Sequence, residues 1–202
     1  MGAPVVDINI VRGKTFEFMY RYADEKLRYA AIAAMPSTVP VRLTAPGHGI
    51  PDGWVVRVTG VKQPEELNTD DGSWLTAFVI DADTIELNRL VADRYWRTFV
   101  PSGALEYPTP FDLTNCSARM QIRDAVSGKV LLSLSSDLST DPDGTIELDT
   151  DLAAVIIRLG PDVTEAITWN RGVYDLELIT PEGNVYPLTA ISNVRIGAEV
   201  TK

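Results

Sequence analysis

The sequence predicts an all-β protein: a β-sandwich interrupted by a small barrel-like module. Three observations carry this. Apolar residues recur at every second position in several segments, turn residues punctuate the chain at short intervals, and helix signals are few. Side chains alternate between the two faces of a strand, so a period of two buries one row and solvates the other. Several short strands with turn signals between them read as a sandwich or barrel.

The alternation opens at the N-terminus, where Val6, Ile8 and Ile10 interleave with Asp7, Asn9 and Val11. Phe16, Phe18, Tyr20 and Tyr22 follow, interleaved with Thr15, Glu17, Met19 and Arg21. Ala118, Met120 and Ile122 alternate with Arg119, Gln121 and Arg123. Asp141-Pro142-Asp143-Gly144 precedes a strand at Thr145–Leu148, and Pro181-Glu182-Gly183-Asn184 joins Val173–Ile179 to Val185–Leu188 as a hairpin. Proline presets an early turn position and glycine accepts positive φ, so the chain reverses there without strain.

Helices are expected in two places only. Asp24–Met35 is rich in Ala, Lys and Leu and reads as a short helix, and Pro161–Ala166 reads as one helical turn with Pro161 near its start. Ala154–Leu159 carries Val155, Ile156 and Ile157, stiff β-branched residues that favour a strand.

The middle of the chain has its own character. Short strands are expected at Val39–Thr44, Trp54–Val61, Trp74–Ile80 and Thr84–Leu90. Pro46-Gly47-His48-Gly49, Pro51-Asp52-Gly53 and Asp70-Asp71-Gly72 divide them, and Pro101–Pro110 reads as a linker back to the sandwich. The expected plan is a discontinuous sandwich from residues 1–35 and 107–202, Ig-like or related, with an inserted β-module at 36–106.

Composition limits function. The chain has 202 residues, 45% of them hydrophobic, and a formal charge of −10 without a cluster of Lys and Arg. A nucleic-acid binder needs cations to displace counterions from phosphate, so nucleic acid is not an expected partner, and neither is an anionic membrane. One cysteine, Cys116, cannot form an intramolecular disulfide, which suits assembly in a reducing cytoplasm. The N-terminal MGAPVVDINIV lacks the pattern of a signal peptide, and no apolar run approaches the ~20 residues of a membrane helix, so a soluble protein is expected.

No catalytic, cofactor-binding or metal-binding residues are nominated. His48 is the sole histidine, and its Gly-His-Gly setting reads as a tight turn rather than a base or ligand. Cys116 reads as a buried small hydrophobe. Asp141, Asp143, Asp149 and Asp151 lack the spacing of a calcium loop and read as turn and strand-edge acids. Motifs of common enzyme classes are absent, so a non-enzymatic protein is expected. Aromatic residues in or beside the insertion are the interface candidates: Trp54, Trp74 and the run Arg94-Tyr95-Trp96-Arg97, which pairs arginine with aromatics. Large rings also fill small cores, so a core role competes for each tryptophan.

Several stretches are similar to a family of small phage tail proteins, related in pattern to the N-terminal domain of baseplate upper proteins. They are Gly13-Lys14-Thr15-Phe16, FDLTNCSARMQIRD at Phe111–Asp124, RGVYDLELITPEG at Arg171–Gly183, and the tail Glu199-Val200-Thr201. About 120 residues in the two outer pieces carry the likeness, and about 75 residues intervene where that family has a short hairpin loop. Asn115 stands where glycine is usual, and asparagine also tolerates positive φ. Within the insertion, His48-Gly49-Ile50 through Gly53, Val56, Val58 and Gly60 resembles a β-module of phage structural proteins.

The resemblance implies a virion structural protein, a tail, baseplate or fibre-attachment adaptor built into a symmetric assembly of several copies. Its implied partners are other phage structural proteins, with the host surface as a further candidate. A carbohydrate-binding host-attachment module and a capsid decoration protein are the competing readings.

Overall fold

The computed structural model describes residues 2–69, 72–87 and 90–198. Two strands open the chain, β1 (Ile8–Val11) and β2 (Phe16–Arg21). Seven more follow: β3 (Ala23–Ala31), β4 (Ala34–Thr38), β5 (Val41–Thr44), β6 (Trp54–Thr59), β7 (Leu75–Asp81), β8 (Thr84–Leu87) and β9 (Ala104–Pro110). Then come β10 (Ser117–Arg123), β11 (Val130–Ser135), β12 (Gly144–Asp149) and β13 (Ala154–Leu159). Helix α1 (Pro161–Glu165), β14 (Arg171–Ile179), β15 (Val185–Pro187) and β16 (Ser192–Gly197) complete the order. The protein is all-β. Among the expected turn and tail residues, Asp70, Asp71 and Glu199-Val200-Thr201 lie outside the described residues, as do Asn88 and Arg89 of the expected Thr84–Leu90 strand.

The chain forms two compact units, Met1–Tyr22 with Asp112–Lys202 and Ala23–Phe111. The inserted unit is therefore longer at both ends than the 36–106 expected from sequence. Its first added piece is Asp24–Met35, which is strand rather than helix. Pairing with β9 from Leu27↔Pro108 to Ala31↔Ala104 overrides the local helix propensity of its Ala, Lys and Leu. At its other end the unit adds Tyr107–Phe111, and the expected linker Pro101–Pro110 is mostly β9. The Ile32 N–H donates to the Gly103 carbonyl (3.1 Å), which turns the odd-numbered backbone groups of β9 towards β3. Pro108 and Pro110 then face the β6 side, where the ladder ends at Arg57↔Glu106 and no N–H is needed.

The first unit is an Ig-like sandwich. Its sheet order is β1-β16-β14-β10-β11-β12-β13-β2, with β15 beside β14. Only two residue pairs, Leu134↔Gly144 and Ser135↔Thr145, join β11 to β12, so the sheet folds into two layers there. One layer is β1-β16-β14-β10-β11 and the other β12-β13-β2. With β1 parallel to β16, this is the strand order of an immunoglobulin-type sandwich, and the insertion occupies the connection between its second and third strands.

Burial follows the alternation. In β10, Ala118, Met120 and Ile122 are buried while Arg119 and Gln121 are exposed. Leu134, Val155, Ile157, Leu159, Leu176 and Leu178 join them in the core, each contributing roughly 1.5–3 kcal/mol by removal from water. The β-branched run of β13 is buried on both parities. Helix α1 starts with Pro161 and is tied down by the Thr164 hydroxyl, 2.8 Å from the Lys14 carbonyl it donates to. Asn115 has φ 55°, a left-handed turn position that asparagine accepts.

The second unit is a nearly closed, barrel-like sheet. Its order is β3-β9-β6-β7-β8-β5-β4, and its two end strands are consecutive stretches of one chain. Ile32 donates to Gly103 on the β9 side and Ala33 donates to the Thr44 carbonyl (2.8 Å) on the β5 side. One bent segment thus supplies both end strands, so the sheet curls into a nearly closed barrel. Val41, Leu43, Trp54, Val56, Val58, Ile85, Leu87 and Leu105 fill the interior.

Candidate protein-binding interface

The register of the barrel sets which side chains share its outer face. Tyr29 lies opposite Glu106, and Glu106 opposite Arg57. One step along, Leu27 lies opposite Pro108, and Val55 opposite Thr76. Trp74 precedes β7 and holds the Arg57 guanidinium 5.1 Å from its ring centroid. Phe78 continues the outward row of β7 and faces Glu86, which pairs with Arg42 (2.7 Å). Leu27, Tyr29, Val55, Trp74 and Phe78 are all exposed, with Tyr29 at 63%. Rigid strands therefore present a wide apolar and aromatic surface to solvent.

Charges on this face are internally matched. Arg57 Nε donates to Glu106 Oε1 (2.7 Å), and Glu106 is only 5% exposed. A partner need not neutralise them, so the face is suited to apolar contact with a polar rim. Beside the aromatic end lies a hollow of about 300 Å³ lined by Trp74, Leu75, Phe78, Leu87 and Leu90. A buried anchor side chain from a partner fits such a hollow.

The six residues nominated from sequence do not form one site. Trp54 is a core residue, 3% exposed, with its indole N–H donating to the Pro108 carbonyl (2.9 Å). It points inward because it shares parity with Val56 and Val58, so its assignment to an interface is corrected. Trp74 belongs to the outer face. Arg94, Tyr95, Trp96 and Arg97 sit on the connection between β8 and β9, where the Trp96 N–H closes a turn onto Asp93. Arg94 is engaged within the run: its guanidinium stacks 4.8 Å from the Tyr95 ring and donates to the Tyr95 hydroxyl (2.6 Å). Tyr95 and Arg97 line a polar hollow with Lys62, Gln63, Glu65 and Glu66.

Leu27, Tyr29, Val55 and Phe78 were not nominated from sequence. A signal existed for two of them. Trp54-Val55-Val56 and Phe78-Val79-Ile80 are apolar on both parities, whereas a barrel strand needs only one apolar row for its core. The helix-favouring Ala, Lys and Leu content of their segment masks Leu27 and Tyr29.

The remaining polar candidates serve the fold. His48 is buried, its Nδ1 accepts from the Ile50 N–H (2.9 Å) and its Nε2 donates to the Asp81 carbonyl (3.2 Å). Its own carbonyl accepts from the Tyr107 hydroxyl, so the imidazole ties a loop to the barrel wall. Asp143 accepts from the Ser133 N–H (2.7 Å), and Asp149 accepts from the N–H groups of Asp151 and Leu152. Asp141 ends a 3-10 turn in left-handed conformation. Among the described residues no group of three or more His, Cys, Asp or Glu is arranged to hold a metal ion.

Cys116 is half-buried rather than buried. Partial burial pushes its thiol up, and Asp112 and Glu182 push it further, which disfavours the nucleophilic thiolate. Among the described residues no helix is long and apolar enough to cross a membrane. No protein-family model matches the chain, and no curated protein matches it in sequence.

Proposed function

We propose that this protein is a non-catalytic structural component of a bacteriophage virion, a tail, baseplate or fibre-attachment adaptor acting through protein–protein interfaces. The observation that carries the reading is the outward face of the barrel. Leu27, Tyr29, Val55, Trp74 and Phe78 stand exposed on paired strands whose charges are already matched, a surface that gains by being covered.

The phage-like motifs support it from the sandwich side. Gly13-Lys14-Thr15-Phe16 forms the β1–β2 turn, the MQIR motif lies in β10, and the YDLEL motif lies in β14, which pairs with β10 along its length. In this reading the sandwich occupies a fixed place in the particle and the barrel reaches a neighbouring subunit, a fibre or the host surface. Assembly takes place in the bacterial host cytoplasm.

Mass spectrometry of purified particles tests the proposal. The chain is expected in the particle at a small multiple of three or six copies. Its absence from assembled particles would overturn the reading, and hundreds of copies would transfer it to a capsid decoration protein. Removing Ala23–Phe111 is expected to abolish infectivity or incorporation; a particle indifferent to the deletion would refute a role for the barrel.

A second reading is favoured by one feature, the exposed rings of Tyr29 and Trp74 on a rigid face, which also suit stacking on sugars. Glycan-array binding that disappears in Trp74→Ala would favour a carbohydrate-binding attachment module instead.

A further inference from the structure

The sandwich layer β12-β13-β2 stops at β2. Among the described residues this strand has one ladder partner, β13, so the opposite edge of Phe16–Tyr20 offers backbone N–H and C=O groups to a further strand. Other edges of the same sheet are less able to accept one. β1 is four residues long, β15 is three and includes Pro187, and β11 is stoppered by the Asp143 carboxylate on the Ser133 N–H. β2 has six residues, FEFMYR, with no proline, glycine or lysine to discourage pairing.

We propose that β2 pairs antiparallel with β2 of a second copy, across a two-fold axis through Met19. Residues directly opposite in an antiparallel pair share a face, so the two-fold must pass through a residue or the aromatic row would be placed on the solvent side. Centring on Met19 places Glu17 opposite Arg21 of the second copy and Phe18 opposite Tyr20 of the second copy. Centring on Phe18 sets Glu17 opposite Met19, and centring on Tyr20 sets Arg21 opposite Met19; neither pairs the charges. Only the Met19 register is complementary in both rows.

The surroundings extend the match. Arg158 of β13 bonds Glu17 (2.7 Å) and also Glu147 of β12. Arg21 of the second copy would continue that row as an alternating series of acid, base, acid and base across the joined sheets. Glu17 and Met19 are exposed and accessible to a partner. On the other face, Phe16, Phe18 and Tyr20 are only half-buried, and the neighbouring strand would cover their open side. This inference names the partner of one edge and rests on the reading that several copies meet in an assembly. It is tested on the purified chain, so its failure and that of the virion role are separable.

Sedimentation velocity of the purified protein is expected to show a monomer–dimer equilibrium. Met19→Cys in a Cys116→Ser background is expected to cross-link into a covalent dimer under mild oxidation, because opposed residues in an antiparallel pair lie ~4.5–5.5 Å apart at Cα, within disulfide range. Thr145→Cys in the same background, exposed on β12, is expected not to cross-link. Met19→Lys places two ammonium groups on the axis and is expected to weaken the dimer about tenfold or more, with an unchanged thermal melt of the monomer. A chain that stays monomeric at all concentrations would overturn the proposal. So would a dimer that survives Met19→Lys and fails to cross-link as Met19→Cys.

Discussion

Trp54 and Trp74 are two tryptophans of one module with opposite duties, separated by strand parity. Trp54→Ala removes a ring that is 3% exposed and is expected to cost the barrel roughly 3–5 kcal/mol. Trp74→Ala removes a ring that is 41% exposed, and should change stability by less than about 1 kcal/mol while weakening any complex made through the face. Urea denaturation of both variants checks the contrast.

Tyr174 offers a second residue-scale test. Burial first, then Asp7 and Tyr20, push its phenol from an ordinary 10.0 up to about 12, against a lowering contact with Ser192. Folding thus favours the neutral phenol, whose hydroxyl donates to the Val6 carbonyl (2.5 Å). The stabilisation is present below about pH 10 and is lost as pH rises towards 12. Melting temperatures measured across this window should fall, and Tyr174→Phe should flatten part of the fall while costing about 1 kcal/mol at neutral pH.

At the scale of elements, how far the sequence could be read depended on whether one strand's own pattern decided its fate. β10 and β14 alternate cleanly, and their burial follows that alternation. The β-branched run of β13 and the proline-started α1 also carried their own signals. β3 and β9 did not. Among the described side chains of Asp24–Tyr29 in β3 none is buried, so no buried row there reports a strand; β9 holds Pro108 and Pro110, which resemble a linker until its unpaired side is known. Both depend on a partner far away in the chain, and local propensity cannot see it.

The close approach of β9 to β6 gives this scale its test. Gly103 has φ +76°, and a Cβ there would lie 2.6 Å from the Thr59 carbonyl oxygen and 2.7 Å from the Val61 nitrogen. Gly103→Ala is expected to cost roughly 3 kcal/mol. Gly47→Ala, also at positive φ but with nothing within 4 Å, should cost only about 1 kcal/mol. Similar losses at both positions would show that backbone conformation alone sets the penalty.

For the whole molecule, the insertion of one compact unit into another predicts separable folding. The barrel closes through its own β3–β4 segment and has its own core, so Ala23–Phe111 expressed alone should fold cooperatively, with dispersed amide resonances and a single thermal transition. The exposed apolar face of the barrel was the least legible feature at this scale. Trp74 was recognisable as an aromatic, but its neighbours on the face come from β3, β6 and β7, and only the register unites them.

The central claim is that this face is covered by another protein in an assembled particle. A cryo-EM map of the intact virion, with the chain traced in density, tests it most directly. The account predicts Leu27, Tyr29, Val55, Trp74 and Phe78 packed against a neighbouring subunit in every copy. A particle without the chain, or one in which those five side chains face solvent throughout, would contradict it.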